Sequence, residues 1–145
     1  MLKDPARFEN EIRALKVPAA EDATLFLWTT NPFLEEALNV VEAWGFTYKT
    51  NIVWVKRGLT RPGSGYYVRG RHELLFICTK GSHVPDQVGK EPIGSVLEAD
   101  VREHSHKPDE VYGIIEAMYP VSRYLELFAR GPARSRWEAW GAEAD

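Results

Sequence analysis

The sequence has little sulfur: one cysteine, Cys78, and two methionines in 145 residues. A lone cysteine excludes a disulfide framework and a thiolate metal cage, and its place in an apolar run fits a reducing compartment, so the cytoplasm is the expected location. Long apolar runs are also missing. None approaches the roughly 18 residues of a membrane span, and the opening MLKDPARFEN lacks the apolar centre of a secretion signal, so neither membrane attachment nor export is expected. There is no excess of positive charge, since 18 Lys and Arg stand against 21 Asp and Glu. That excludes a protein that holds nucleic acid by bulk charge, and any anionic partner must be met by a local patch. No internal repeat or low-complexity tract is visible. What is present is an ordinary globular mix, 44% hydrophobic and 27% charged, in a length that fits one domain over 1–145.

A first helix is expected to open at Asp4 with Pro5 at its first position, placing Phe8, Ile12 and Leu15 on one face. Thr24 to Trp28 is a continuous apolar run bounded by polar residues, the pattern of a strand buried on both faces of a parallel sheet. Asn31 and Pro32 then start a helix whose buried stripe is Leu34, Leu38 and Val41, ending at Gly45. Phe46 to Val55 and Leu74 to Cys78 read as strands, with a short one at Val96 to Ala99. A helix follows from Pro108 to Pro120, and a strand covers Tyr124 to Phe128. Alternating strands and helices imply an α/β layer fold, with ligands beyond the carboxyl ends of the strands, near Thr29 to Asn31 and Ala129 to Pro132.

Glu126 interrupts an apolar strand. A carboxylate there needs hydrogen-bond donors, which a ribose would supply; otherwise the strand lies at an edge, with Glu126 in solvent or paired to Arg123 or Arg130. His104 and His106 have metal-ligand character but no third ligand at a recognisable spacing, so no metal site is expected. Lys107, before a helix start, can hold a carboxylate or phosphate, or be a solvated surface lysine. The glycines at 58, 63, 65 and 70 match neither a phosphate loop nor a dinucleotide fingerprint, and Gly63-Ser64-Gly65 lacks the context of a nucleophile elbow. From Ala43 to His72 there are six basic residues and no acid, leaving 12 basic against 21 acidic elsewhere. Lys56, Arg57, Arg61, Arg69 and Arg71 interleave with Tyr66 and Tyr67, a combination suited to the backbone and bases of single-stranded nucleic acid, or else to a solvated basic loop.

Taken in order, LFLWTTNP (25–32), WGF (44–46), VWVK (53–56), the 69–81 segment, REHSHKPDE (102–110), LELFAR (125–130) and WEAWG (137–141) resemble N6-adenine methyltransferases of the messenger-RNA adenosine methyltransferase (MTA-seventy) type. The likeness covers nearly the whole chain. It implies a Rossmann-like fold that binds S-adenosylmethionine, with Lys107 on the methionine carboxylate, Glu126 and Arg130 near the ribose, and Leu127 and Phe128 beside them. It further implies a nucleic-acid partner, DNA or RNA, presenting an unpaired or flipped adenine; pairing of the chain as a homodimer or heterodimer stays open. Two departures stand out. The closing Trp-Gly-Asn of the family reads Trp140-Gly141-Ala142, and the catalytic Asp-Pro-Pro-Trp motif is absent, so no catalytic residue is assigned. The expectation is an N-terminally shortened methyltransferase fold, or a degenerate member that binds nucleic acid or scaffolds an active relative without catalysing.

Overall fold

The computed structural model describes residues 5–61, 63, 65–86, 92–103, 106–141 and 144. Asp4, the expected opening of the first helix, lies outside them, as do Ser64, His104, Ser105 and Ala142. The elements in chain order are α1 (Pro5–Arg13), β1 (Ala23–Thr29), a 3₁₀ turn (Asn31–Phe33), α2 (Leu34–Ala43), β2 (Thr47–Arg57), β3 (His72–Lys80), β4 (Val96–Asp100), α3 (Glu110–Met118), β5 (Tyr124–Leu127) and β6 (Trp137–Trp140).

Four strands form a mixed sheet in the order β1-β3-β2-β4, and β5 pairs with β6 in a separate two-stranded sheet. β3 runs antiparallel to both β1 and β2, while β2–β4 and β5–β6 are parallel pairs. The expectation that Thr24 to Trp28 is a strand buried on both faces of a parallel sheet is therefore corrected. That strand lies at an edge and is only half-buried, and β3 takes the central place. Successive residues of a strand point to opposite faces, so Leu74, Phe76 and Cys78 of β3 pack with Ala37 and Val41 of α2, and Leu75 packs on the other face with Ile52 and Val111 of α3. Helices thus cover both faces, which explains why β3 reads as an unbroken apolar run.

α2 differs from expectation in its buried face. Pro32 sits in a 3₁₀ turn and the α-helix begins only at Leu34, so Ala37, Val40 and Val41 turn inward. Leu34 and Leu38, expected in the core, are 41% and 39% exposed. Gly45 follows the helix with φ 82°, a left-handed conformation that glycine takes without steric cost. α1 ends at Arg13, short of Leu15, and rests on α2, with Trp44 Nε1 donating to the Ile12 carbonyl at 3.0 Å.

Candidate cofactor site

β1 and β5 run in the same direction. At the carboxyl end of α3, Tyr119 meets both strand starts: Thr24 Oγ1 donates to its hydroxyl at 2.7 Å, and Tyr124 OH donates to its carbonyl. At the amino end of α3, Tyr112 OH donates to Glu126 at 2.7 Å, and Lys107 lies over the Trp28 ring. Between the two strands opens a cavity of about 950 Å³, lined by consecutive residues 22–28 and 122–128. Consecutive lining residues mean that a strand edge, not a face, borders the space. Among the described residues β1 pairs only with β3, and β5 only with β6. The rims expected at Thr29 to Asn31 and at Ala129 to Pro132 therefore lie at the same end of this opening.

Lys107 enters the cavity wall from the segment ahead of α3. Arg102 braces that segment, donating to the Lys107 carbonyl at 2.9 Å and pairing with Asp109 at 3.0 Å, which holds the Asp109 carboxyl below its ordinary value. The Lys107 ammonium is 2.5 Å from Glu73, whose second oxygen is 2.6 Å from Lys56. Burial alone would push the Glu73 carboxyl up, but the hydrogen bonds and charges of Lys107 and Lys56 outweigh it and hold it below its usual value.

On the opposite wall, Glu126 is half-buried and its partner is Tyr112; Arg123 instead pairs with Glu138 at 2.6 Å. Burial, and then donation to the Glu126 carboxylate, push the Tyr112 phenol up. Phe128, at the end of β5, has φ 59°, a left-handed conformation that is uncommon outside glycine and occurs at ligand sites. The turn leaves its ring half-exposed against Trp140, and Leu127, Phe128 and Arg130 all line the cavity. A Cβ on Gly141 would come within 2.9 Å of the Ala129 nitrogen, so this close approach of β6 to the turn requires glycine.

These residues suit S-adenosylmethionine chemically. A cation at the strand ends can take a carboxylate, and a half-buried carboxylate can accept ribose hydroxyls. Among the described residues no cluster of three His, Cys, Asp or Glu side chains could hold a metal ion, and His106 is exposed beside Asp109 at 3.8 Å. Nor is any helix among them long and apolar enough to cross a membrane.

The basic window takes in β2, the described residues of the connection that follows it, and the first residue of β3. The fold divides its members into two groups. Lys56 is bound to Glu73, and Arg57 meets Asp100 of β4 at 3.3 Å, so two acids from outside the window neutralise its base. Arg61, Arg69 and Arg71 are exposed, and Tyr66 and Tyr67 are 95% and 94% exposed, their rings edge to face at 5.4 Å. Two tyrosines that bury almost nothing contribute little to a core, which is what a stacking surface requires.

Sequence reasoning assigned no role to Glu73 or Tyr112. The one legible signal was Glu73 itself, a charge abutting the apolar run Leu74 to Cys78; the partners that make it meaningful come from β2 and from the segment before α3.

A family model described as MT-A70 matches residues 2–143. The chain is 36% identical over 128 residues to a fruit-fly (Drosophila melanogaster) N(6)-adenosine-methyltransferase MT-A70-like protein, covering 84% of this chain and 21% of that protein. It is 33% identical over 144 residues to the human N(6)-adenosine-methyltransferase catalytic subunit METTL3, covering 94% of this chain and 24% of that one. A Mycoplasma type II methyltransferase, M.MunI, is 35% identical over 144 residues, covering 97% of this chain and 60% of that protein. The chain thus spans about a fifth to a quarter of the length of the animal relatives.

Proposed function

Because the chain belongs to the MT-A70 family, we propose that it forms the cofactor-binding part of an adenine N6-methyltransferase of Rossmann-like fold, acting on DNA or RNA with S-adenosylmethionine as methyl donor. The observation that carries this reading is that Lys107, Glu126 and Arg130, drawn from two parts of the chain, line one cavity at the common carboxyl end of β1 and β5. S-adenosylmethionine supplies an electrophilic methyl carbon on a sulfonium. The Lys107 ammonium holds the amino-acid carboxylate, Glu126 accepts the ribose hydroxyls with Arg130 nearby, and Leu127 and Phe128 give the apolar surface beside them.

The adenine amine is a weak nucleophile because its lone pair is delocalised into the ring, and acceptors for its two hydrogens must localise that pair in line with the methyl group. This sequence has no Asp-Pro-Pro-aromatic motif to supply them. In our reading those groups come from other polypeptide, seated along the edges of β1 and β5 that are unpaired among the described residues, and residues 1–145 alone are inactive. The exposed tyrosines and arginines of the β2–β3 hairpin bind the nucleic acid carrying the target adenine. The second reading is a non-catalytic partner that binds nucleic acid and pairs with an active methyltransferase, as homodimer or heterodimer; the missing motif favours it. The buried thiol of Cys78 agrees with a cytoplasmic protein.

Calorimetric titration with S-adenosylhomocysteine, the demethylated product, tests the cofactor reading. The wild type should bind, and Lys107→Ala should lose about tenfold or more in affinity, the scale of one charge-assisted hydrogen bond. Equal affinity of the two proteins would remove Lys107 from the site. Methyl incorporation into mixed DNA and RNA by the pure chain would contradict its assignment as inactive.

A further inference from the structure

We propose that Glu73 is a positioning residue for the carboxylate end of the cofactor, acting through Lys107; this rests on the reading that Lys107 binds that carboxylate. Among the described residues Glu73 is the one charged side chain that is buried, 6% exposed. It enters β3 opposite Trp54 of β2, and its oxygens are divided between two lysines from different elements, Oε1 to Lys107 at 2.5 Å and Oε2 to Lys56 at 2.6 Å. Each ammonium also lies 5.4 Å above an indole, Lys107 over Trp28 and Lys56 over Trp54. The two indoles meet edge to face at 5.8 Å, so carboxylate, cations and rings form one contiguous cluster.

Two properties follow that a solitary lysine would lack. A lysine has a long flexible stem, and confining it when a ligand arrives costs entropy. Here the sheet fixes Glu73, and Glu73 with Trp28 fixes Lys107, so that ordering is complete before binding. An ammonium has three donors, of which Glu73 takes one, leaving two for a ligand carboxylate. The second property is charge. A one-to-one pair of Lys107 with Glu73 would be neutral and would attract no anion. Lys56 restores a net charge of +1 to the cluster, so the site is both ordered and cationic.

Position and charge make opposite predictions for one substitution. Glu73→Gln raises the cluster charge by one unit, so a site governed by charge alone would bind an anion more tightly, whereas one governed by position would bind it more weakly. A second ligand isolates the effect. 5′-Methylthioadenosine keeps the nucleoside and thioether of S-adenosylhomocysteine but has no amino-acid carboxylate, so it reports on the rest of the site.

The test is calorimetry of the whole chain with both ligands, on wild type, Glu73→Gln, Glu73→Asp, Lys56→Met and Lys107→Ala. Glu73→Gln should bind S-adenosylhomocysteine about tenfold more weakly, with 5′-methylthioadenosine unchanged and partial recovery in Glu73→Asp. Lys56→Met should weaken the first ligand and spare the second. Glu73→Gln binding S-adenosylhomocysteine as tightly as wild type, or more tightly, overturns the proposal, as does an equal loss for both ligands, which would mark a purely structural role. If Glu73→Gln does not fold, Lys56→Met decides, and its unchanged affinity for S-adenosylhomocysteine overturns the proposal. Weakening by Lys107→Ala with none by Glu73→Gln defeats this inference alone. No effect of Lys107→Ala, or no binding by the wild type, defeats the reading beneath it.

Discussion

Reversing the charge of the β2–β3 hairpin should change how binding of single-stranded nucleic acid depends on salt, by an amount the structure allows to be counted. Of the five cations expected in the patch, Lys56 is bound to buried Glu73 and Arg57 pairs with Asp100. The Arg57–Asp100 pair is solvent-exposed, so it is weak, and Arg57 can exchange its partner for a phosphate; Lys56 cannot do so without uncovering Glu73. Arg61, Arg69 and Arg71 are exposed and carry the prediction. Each phosphate neutralised on a single strand contributes about 0.7 to the slope of log affinity against log salt, so converting these three to Glu should flatten the slope by about 2. Tyr66→Ala should instead weaken binding by about 1–3 kcal/mol with the slope unchanged, because stacking releases no counterions. That substitution is clean, since a ring 95% exposed contributes little to the fold. Filter binding across a salt series measures both effects, and single strands should bind at least as well as duplex, where the adenine amine is hidden. A slope shared by wild type and the triple reversal, or a Tyr66→Ala protein of wild-type affinity, would refute the assignment and leave the hairpin as a solvated loop.

Glu73 has a carboxyl pKa held below its ordinary value of 4.5, so its contribution to stability is present above that value and lost as the pH falls through the folded one. Glu73→Gln should therefore lower the urea midpoint near neutral pH, and the gap to wild type should narrow as the pH falls below 4.5 and the carboxylate is protonated; a gap independent of pH would contradict this. Trp54, 2% exposed and donating to the Ala99 carbonyl at 3.0 Å, ties β2 to β4, and Trp54→Ala should cost about 3–5 kcal/mol in denaturant unfolding. Cys78 is fully buried and burial raises its thiol to about 11, so Ellman's reagent should react with the unfolded chain and not with the native one.

The local elements were legible because their signals are local. β2, β3, β4, α3 and β5 lie within a few residues of the expected positions, since apolar runs, prolines and periodicity act over short stretches. Pairing is not local. β1 and β3 both read as apolar runs, and only the strand order shows that β3 is central and β1 an edge. A 3₁₀ turn at Asn31–Phe33 turned the buried stripe of α2 away from Leu34 and Leu38, a shift that Pro32 permits but does not dictate. β6, four residues of alternating burial, is too short to announce itself as a strand. In the site, Lys107 and Glu126 stood out by residue type and context, whereas Tyr112 became visible only when α3 was laid against β5. The window free of acids acquired Glu73 and Asp100 on folding, so its five cations are not equivalent.

We place the cofactor at the rim where β1 and β5 end, beside Lys107, Glu126 and Arg130. This placement is tested most directly by adding S-adenosylhomocysteine to isotope-labelled protein and mapping the amide shifts. Saturable shifts are expected on both rims, at 29–31 and 128–131, together with His106, Lys107 and the first turn of α3, with the midpoint moved to a ligand concentration about tenfold or more higher in Lys107→Ala. Shifts confined to the β2–β3 hairpin or to α2, or none at saturating ligand, would contradict that placement.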